Sequence, residues 1–169
     1  MKLQGKQVYL RKLILEDADG NYPNWLNDKE VCRYNSHGDV LYTKKMAIEY
    51  IKSVINNPTC KVFAICLHND THIGNISLQD IKDSSAEFAI LMGEKEFWGK
   101  GYAKEAGEIL INYGLENLNL NRIYCGTNEK NLSMQKLALS LKMTRLMEEK
   151  KTMQKNGKIY KIYEYEKSL

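Results

Sequence analysis

Proline and histidine are both scarce in this chain, and no long apolar run occurs anywhere in its 169 residues. The two prolines, Pro23 and Pro58, bound no linker, and no repeat or low-complexity segment divides the chain. A single domain over residues 1–169 is therefore expected, large enough to bury a proper core. Nothing approaches the ~20 apolar residues of a membrane helix, so no membrane partner is expected. The opening MKLQGKQVYLRKL alternates like a strand and lacks the apolar centre of a signal peptide, which points to the cytoplasm. The histidines His37, His68 and His72 stand at no metal-ligand spacing. The cysteines Cys32, Cys60, Cys66 and Cys125 form no CxxC pair and sit mainly in apolar stretches. Buried free thiols and no metal are the expectation. Charge of neither sign dominates: 25 Lys and Arg against 21 Asp and Glu leave +4. That suits an anionic cofactor but is too small and scattered for nucleic acid.

With 43% hydrophobic and 27% charged residues the chain is globular, and its periodicity sorts the elements. Residues 8–15 (VYLRKLIL) read as a strand. Residues 21–26 hold Pro23 and allow only a short helix. Asp28 can cap a second short helix over 29–34. After a loop over 35–42, Thr43 caps an amphipathic helix ending near Pro58, with Ala47, Tyr50, Ile51 and Val54 as its stripe. Three strands with short connections follow, at 61–67, 72–78 and 86–92, which predicts an antiparallel meander. A helix over 103–118 crosses over to a strand at 122–127, expected to run parallel to the strand at 86–92. A helix over 131–141 and a hairpin with strands at 144–154 and 158–166 about Asn156-Gly157 complete the chain. The fold class is mixed α/β in the order βααβββαβαββ.

The stretch FWGKGYAKEA, residues 97–106, carries the chemistry. It places Gly99 and Gly101 between a strand and a helix. The first turn of a helix has N–H groups without partners and a dipole that favours anions, and glycine lets the backbone approach closely. The Walker loop is excluded, because Tyr102-Ala103 follows the last glycine where Lys-Ser/Thr is required. The dinucleotide fingerprint is excluded too, because Lys104 stands where it needs a third small residue.

What remains, Trp98-Gly99-Lys100-Gly101-Tyr102-Ala103, resembles the acetyl-CoA pyrophosphate loop of the GNAT N-acetyltransferase superfamily. The GKGYAKEA run is similar to the branch of ribosomal-protein alanine and spermidine acetyltransferases. Other motifs fall in register with that branch: Leu10-Arg11 ahead of Asp17, Trp25-Leu26-Asn27-Asp28 followed by Val31 and Tyr34, Asn131 heading a helix, and the Asn156-Gly157 turn. The resemblance covers essentially the whole chain and implies the GNAT fold: a mostly antiparallel sheet with one parallel pair splayed for the cofactor. It implies acetyl-CoA as co-substrate and transfer to a primary amine by direct attack. It sets Leu91, Met92 and Gly93 against pantetheine, with Asn131 touching the same arm. It places the N–H groups of Gly99, Lys100, Gly101, Tyr102 and Ala103 around the pyrophosphate behind Trp98, with Lys100 and Lys104 adding charge.

An alkyl ammonium has a pKa of about 10 and must lose a proton before attack. Glu87, in an AEF run shared with the spermidine branch, is the expected base, acting through water. The chain departs from the family at Ala138, where many members carry a tyrosine that protonates the leaving thiolate. Trp25, Tyr34 and His37 are the expected acceptor wall. The acceptor is expected to be a small cytosolic amine such as a nucleotide-linked or free amino sugar. A protein N-terminus, a polyamine, and a non-catalytic acetyl-CoA-binding protein are the alternatives, and a homodimer is left open.

Overall fold

The structure, a computed structural model, describes residues 1–147 and 151–168. One twisted sheet runs through it. Its first edge is a hairpin of β1 (Lys2–Gln4) and β2 (Val8–Lys12), one strand more than the alternation at the N-terminus predicts. Gly5 makes that hairpin turn, pressed against Glu105 and Ile109 of a later helix. The expected strand over 8–15 stops at Lys12, because Asp17 turns back to accept from the Ile14 N–H and a 3₁₀ turn follows over Leu15–Asp19.

Helix α1 (Tyr22–Trp25) is a single turn with proline in its first two positions. The second short helix expected over 29–34 is absent. Asp28 does cap, accepting from Glu30 N at 2.8 Å and Val31 N at 3.2 Å, but only turns follow. Lys95 holds the Asp28 carboxylate at 2.8 Å, and β-branched Val31 gives little helical propensity in return. Thr43 caps α2 (Lys44–Ile55) by accepting from Met46 N, and Ala47 and Ile51 are buried as the stripe predicts.

Strands β3 (Lys61–Leu67), β4 (His72–Lys82) and β5 (Ser85–Met92) form the antiparallel meander. β4 is longer than expected. A bulge at Asp80 carries it on to Lys82, and Asp83 and Ser84 make the turn, both with positive φ. Helix α3 (Tyr102–Asn117) then crosses the sheet and returns the chain as β6 (Arg122–Asn128), parallel to β5. Helix α4 (Leu132–Ser140) leads to β7 (Thr144–Arg145), and β8 (Thr152–Lys155) and β9 (Lys158–Ser168) close the chain about Asn156 and Gly157. The single long strand expected over 144–154 is therefore two short ones, its middle lying outside the described residues. The strand order is β1-β2-β3-β4-β5-β6-β9-β7, with β8 pairing β9.

Two cores flank the sheet. Leu10, Phe63, Ile76, Leu78, Phe88 and Ile123 pack on one side under α3, where Gly107 and Gly114 admit Leu141, Leu78 and Ile123 at close range. Tyr9, Tyr22, Trp25, Ala64 and Cys66 pack on the other, under α1 and α2. No helix of the described residues is long and apolar enough to cross a membrane.

Candidate active site

The parallel pairing of β5 with β6 is short. It runs Ser85 to Arg122, Ala86 to Ile123 and Glu87 to Tyr124, and then stops. β5 continues to Met92 alongside β4, whereas β6 beyond Tyr124 stays paired with β9 alone among the described residues. The Gly93 N–H donates to the Ile73 carbonyl at 3.0 Å. Counting back in twos puts the backbone bonds of Leu91, Ala89 and Glu87 on β4 as well. The N–H and C=O groups of Ile90 and Met92 therefore face the opening left by β6. Trp98 lies across its end, its indole N–H donating to the Met92 carbonyl at 2.9 Å.

Beyond that edge the chain makes a 3₁₀ turn at Lys95–Phe97 and enters α3 through Gly99 and Gly101, with φ of 73° and 87°. Gly101 is the N-cap of α3, and no side chain caps the helix. The first helical bond is Glu105 N to Gly101 O. No protein group among the described residues accepts from the N–H groups of Gly99 through Lys104. Neither glycine has a neighbour near its missing Cβ, so the space in front of the loop is open. Such a cradle of free N–H groups at a positive helix end fits a pyrophosphate. Lys100 lies over the Phe97 ring and Lys104 lies 3.8 Å from Glu108, both exposed. Asn131 caps α4, its side-chain oxygen accepting from Met134 N at 3.1 Å, which leaves its amide N–H₂ to face elsewhere.

Partners across β4 and β5 share a face, and Gln79 with Glu87, Ser77 with Ala89 and Asn75 with Leu91 face away from α3. A cavity of about 310 Å³ lies on this face, lined by Asn75, Ser77, Gln79, Ala89 and Leu91, by Tyr22, Tyr42 and Tyr50, and by Asn35, Ser36 and His37. Of the three residues expected in the acceptor wall, His37 lines the cavity. Tyr34 lies outside the lining, its ring beneath Arg33. Trp25 is a buried anchor: its indole N–H donates to Glu94 at 2.8 Å and its ring meets His72 edge-on at 4.9 Å. Gly93 is buried against the Trp25 ring, where any Cβ would collide, and its N–H is already bonded. Packing thus accounts for both.

Glu87 continues the cavity face by one step, half-buried beside Gln79 and Tyr124. Burial raises its carboxyl pKa, and Asp80 and Glu164 add to the rise against Lys151. Cys125, on the far face of β6, is buried, and its pKa is pushed up to about 12, by burial first and then by Glu87. So little thiolate forms there that it is a poor nucleophile. Ala138 is fully buried in the core with Cys125, Leu141 and Met143.

Two features of the site are not signalled by local sequence. Lys155, at the tip of the last hairpin, is only 8% exposed, and its ammonium donates to the carbonyls of Cys32 (2.7 Å), Asn35 (2.5 Å) and His37 (2.7 Å). Beneath the cavity, Arg11 forks onto Asp17 at 2.9 and 2.7 Å, Asp17 lies 3.5 Å from His72 Nδ1, and His72 Nε2 bonds Asn75 at 2.8 Å. Burial pushes the Asp17 carboxyl up, but the Arg11 guanidinium and the Ile14 N–H outweigh it and the net shift is downward.

A family model described as "Acetyltransferase (GNAT) domain" matches residues 7–144. The chain belongs to the GNAT acetyltransferase family. A Bacillus licheniformis protein named "Uncharacterized N-acetyltransferase p20" is 34% identical over 145 residues, covering 82% of this chain and 80% of that protein. Among solved GNAT structures, spermidine N-acetyltransferase from Vibrio cholerae, in complex with CoA and spermine, superposes with a TM-score of 0.87 at 21% identity, over 97% of this chain and 96% of that one. RimL, a ribosomal-protein α-N-acetyltransferase in complex with coenzyme A, gives 0.90 at 12% identity, over 100% and 98%. At those identities the likeness is one of fold. The GNAT domain and the relatives named N-acetyltransferases make this chain an acyltransferase.

Proposed function

We propose that the protein moves an acetyl group from acetyl-CoA to the primary amine of a small polar molecule, in the cytoplasm and within one ternary complex. The observation that carries this reading is the parting of β5 and β6 after Glu87 and Tyr124, between a cradle of free N–H groups and a cavity of mixed lining. Acetyl-CoA supplies the thioester. The open edge at Ile90 and Met92 pairs with the pantetheine arm as an added strand would, with Leu91 beside it and Asn131 on the facing helix. Trp98 yields the Met92 carbonyl to that arm. The N–H groups of Gly99, Lys100, Gly101, Tyr102, Ala103 and Lys104 hold the pyrophosphate, with the two lysine side chains adding charge. The Met92 N–H, on the open side, stabilises the negative charge that develops on the thioester oxygen.

Glu87 takes the amine proton through water. Its raised pKa makes it a better acceptor than an ordinary surface carboxylate. With Ala138 buried, the leaving thiolate, of pKa about 8.5, takes its proton from solvent.

The cavity suits an amino sugar: hydroxyls and amides for its polar edges stand among tyrosine rings and aliphatic side chains such as Leu26 and Val62, and no lysine or arginine is among its lining residues. A nucleotide attached to the sugar would have to lie outside it. The polyamine reading draws on Asp80 and Glu164 beside Glu87, although Glu164 is paired with Lys151 at 2.6 Å. Thiol release from acetyl-CoA, measured against amino sugars, polyamines and peptide N-termini, tests the proposal. Intersecting initial-rate lines are expected. Parallel lines, or acetyl on Cys125, would replace direct attack with a covalent route, and acetyl-CoA binding without turnover on any amine would leave a binding protein.

A further inference from the structure

The Arg11–Asp17–His72 chain ends on one residue of the cavity, Asn75. His72 Nε2 lies 3.0 Å from the Gly74 carbonyl, and a carbonyl only accepts. Asp17, 3.5 Å from Nδ1, is too far for a hydrogen bond that would hold a neutral ring's proton on that side, so Nε2 carries a hydrogen in either state. The same hydrogen is shared with the Asn75 side-chain atom 2.8 Å away, which must then be its oxygen. That choice settles which way the amide points, and its N–H₂ group is left without a partner among the described residues. The imidazole is itself immobile, wedged edge-on against Trp25 and backed by Asp17, whose two oxygens are held by Arg11. Asn75 is opposite Leu91, next to the backbone groups that face the cofactor opening.

We infer that Asn75 is a specificity residue that presents a fixed hydrogen-bond donor to an oxygen of the acceptor, selecting hydroxylated amines such as free amino sugars over plain alkyl amines and polyamines. His72 is the positioning residue that orients it. This rests on the reading of the cavity as the acceptor site. The donor is fixed before the substrate arrives, so the amide loses little freedom on binding, and an acceptor lacking the oxygen leaves it unpaired. Ser77 extends the same preference. Its hydroxyl accepts from Gln79 Nε2 at 2.8 Å and keeps its own hydrogen to donate.

The test uses the whole chain and three probes: D-glucosamine, cyclohexylamine and spermidine. Asn75→Leu should lower the ratio of kcat/KM for glucosamine to that for cyclohexylamine by about tenfold or more. Asn75→Asp keeps the bond from His72 and turns the free donors into an acceptor, so glucosamine should fall while spermidine rises. Ring ¹⁵N shifts of His72 in the parent protein should show Nε2 protonated, a readout independent of any acceptor and of the variants' folding. Equal losses on all three probes, or an unprotonated Nε2, would overturn the inference. So would a parent that turns over cyclohexylamine or spermidine but not glucosamine. Absence of thioester cleavage with every probe would instead fail the reading of the cavity as an acceptor site, and the inference with it.

Discussion

The ammonium of Lys155 donates to the carbonyl of Cys32 at 2.7 Å, joining residues more than 120 positions apart in the chain. With Asn35 and His37 taking its other two hydrogens, the group is fully satisfied without a carboxylate partner. It latches the last hairpin to the loop that walls the cavity. Lys155→Met should leave three carbonyls short of a donor and destabilise the fold by about 2 kcal/mol or more, read by denaturant unfolding. The acceptor KM should rise while that for acetyl-CoA stays put, since the cradle at Gly99–Gly101 lies on another element. Unchanged acceptor KM in a folded variant would mean that the latch only stabilises.

Gly101→Val tests the cofactor loop. Gly101 has a φ of 87° and open space before it, so the substitution meets no neighbour in the free protein. It strains the backbone instead, by about 1–2 kcal/mol. The larger effect should be on acetyl-CoA, whose pyrophosphate must come where the new methyls stand. Calorimetry should show affinity reduced by about tenfold or more. Binding as tight as the parent's would remove the loop from the site.

Glu87→Gln should lower turnover by about 10²-fold or less and leave acetyl-CoA affinity nearly intact. The stability effect has the opposite sign. Burial raises the Glu87 pKa in the fold, so the folded state loses stability as pH climbs from the ordinary carboxylate range through that raised value. The glutamine variant should therefore melt higher than the parent at pH 7, and the gap should close below about pH 4. Full activity across the pH range would make Glu87 a strand-end carboxylate and nothing more.

Asp17 behaves the other way. Its pKa is lowered, so the stabilisation it brings is present above about pH 4 and fades as pH falls through the lower folded value. Asp17→Asn leaves Arg11 short of its counter-charge in a half-buried setting and should cost about 3 kcal/mol at pH 7. The difference should shrink steadily toward pH 2. A constant difference across that range would show that the carboxylate charge is not what matters.

Much of the proposed cofactor half of the site was legible because it is local. A strand, two glycines and a helix adjoin in the chain, and the N–H groups that form the cradle follow from helix geometry alone. The acceptor half was not. Asp17 follows Leu10-Arg11 in the opening motif, His72 begins a strand and Lys155 precedes the Asn156-Gly157 turn, and none of these places signals a buried contact. Asp17 meets His72, His72 meets Trp25 and Lys155 meets His37, all far away in sequence. The expectation that Trp25 faces the acceptor fails for the same reason: an aromatic on a short helix can turn either way, and the ring position was settled by the bare backbone of Gly93 and the carboxylate of Glu94.

The helix over 29–34 was overturned in the same manner. Asp28 has the side chain of a helix cap, but Lys95 and Glu30 compete for the segment and the chain continues as turns. Apolar runs of strand length, short connections and one helical crossover determined the meander and the parallel strand, because they leave few ways to pair such strands. Where β5 and β6 part, and which side chains line the space beside them, was decided by tertiary structure. Sheet twist sets how far two strands stay in register, and no run of residues along one chain encodes the spacing between strands that a helix has carried apart.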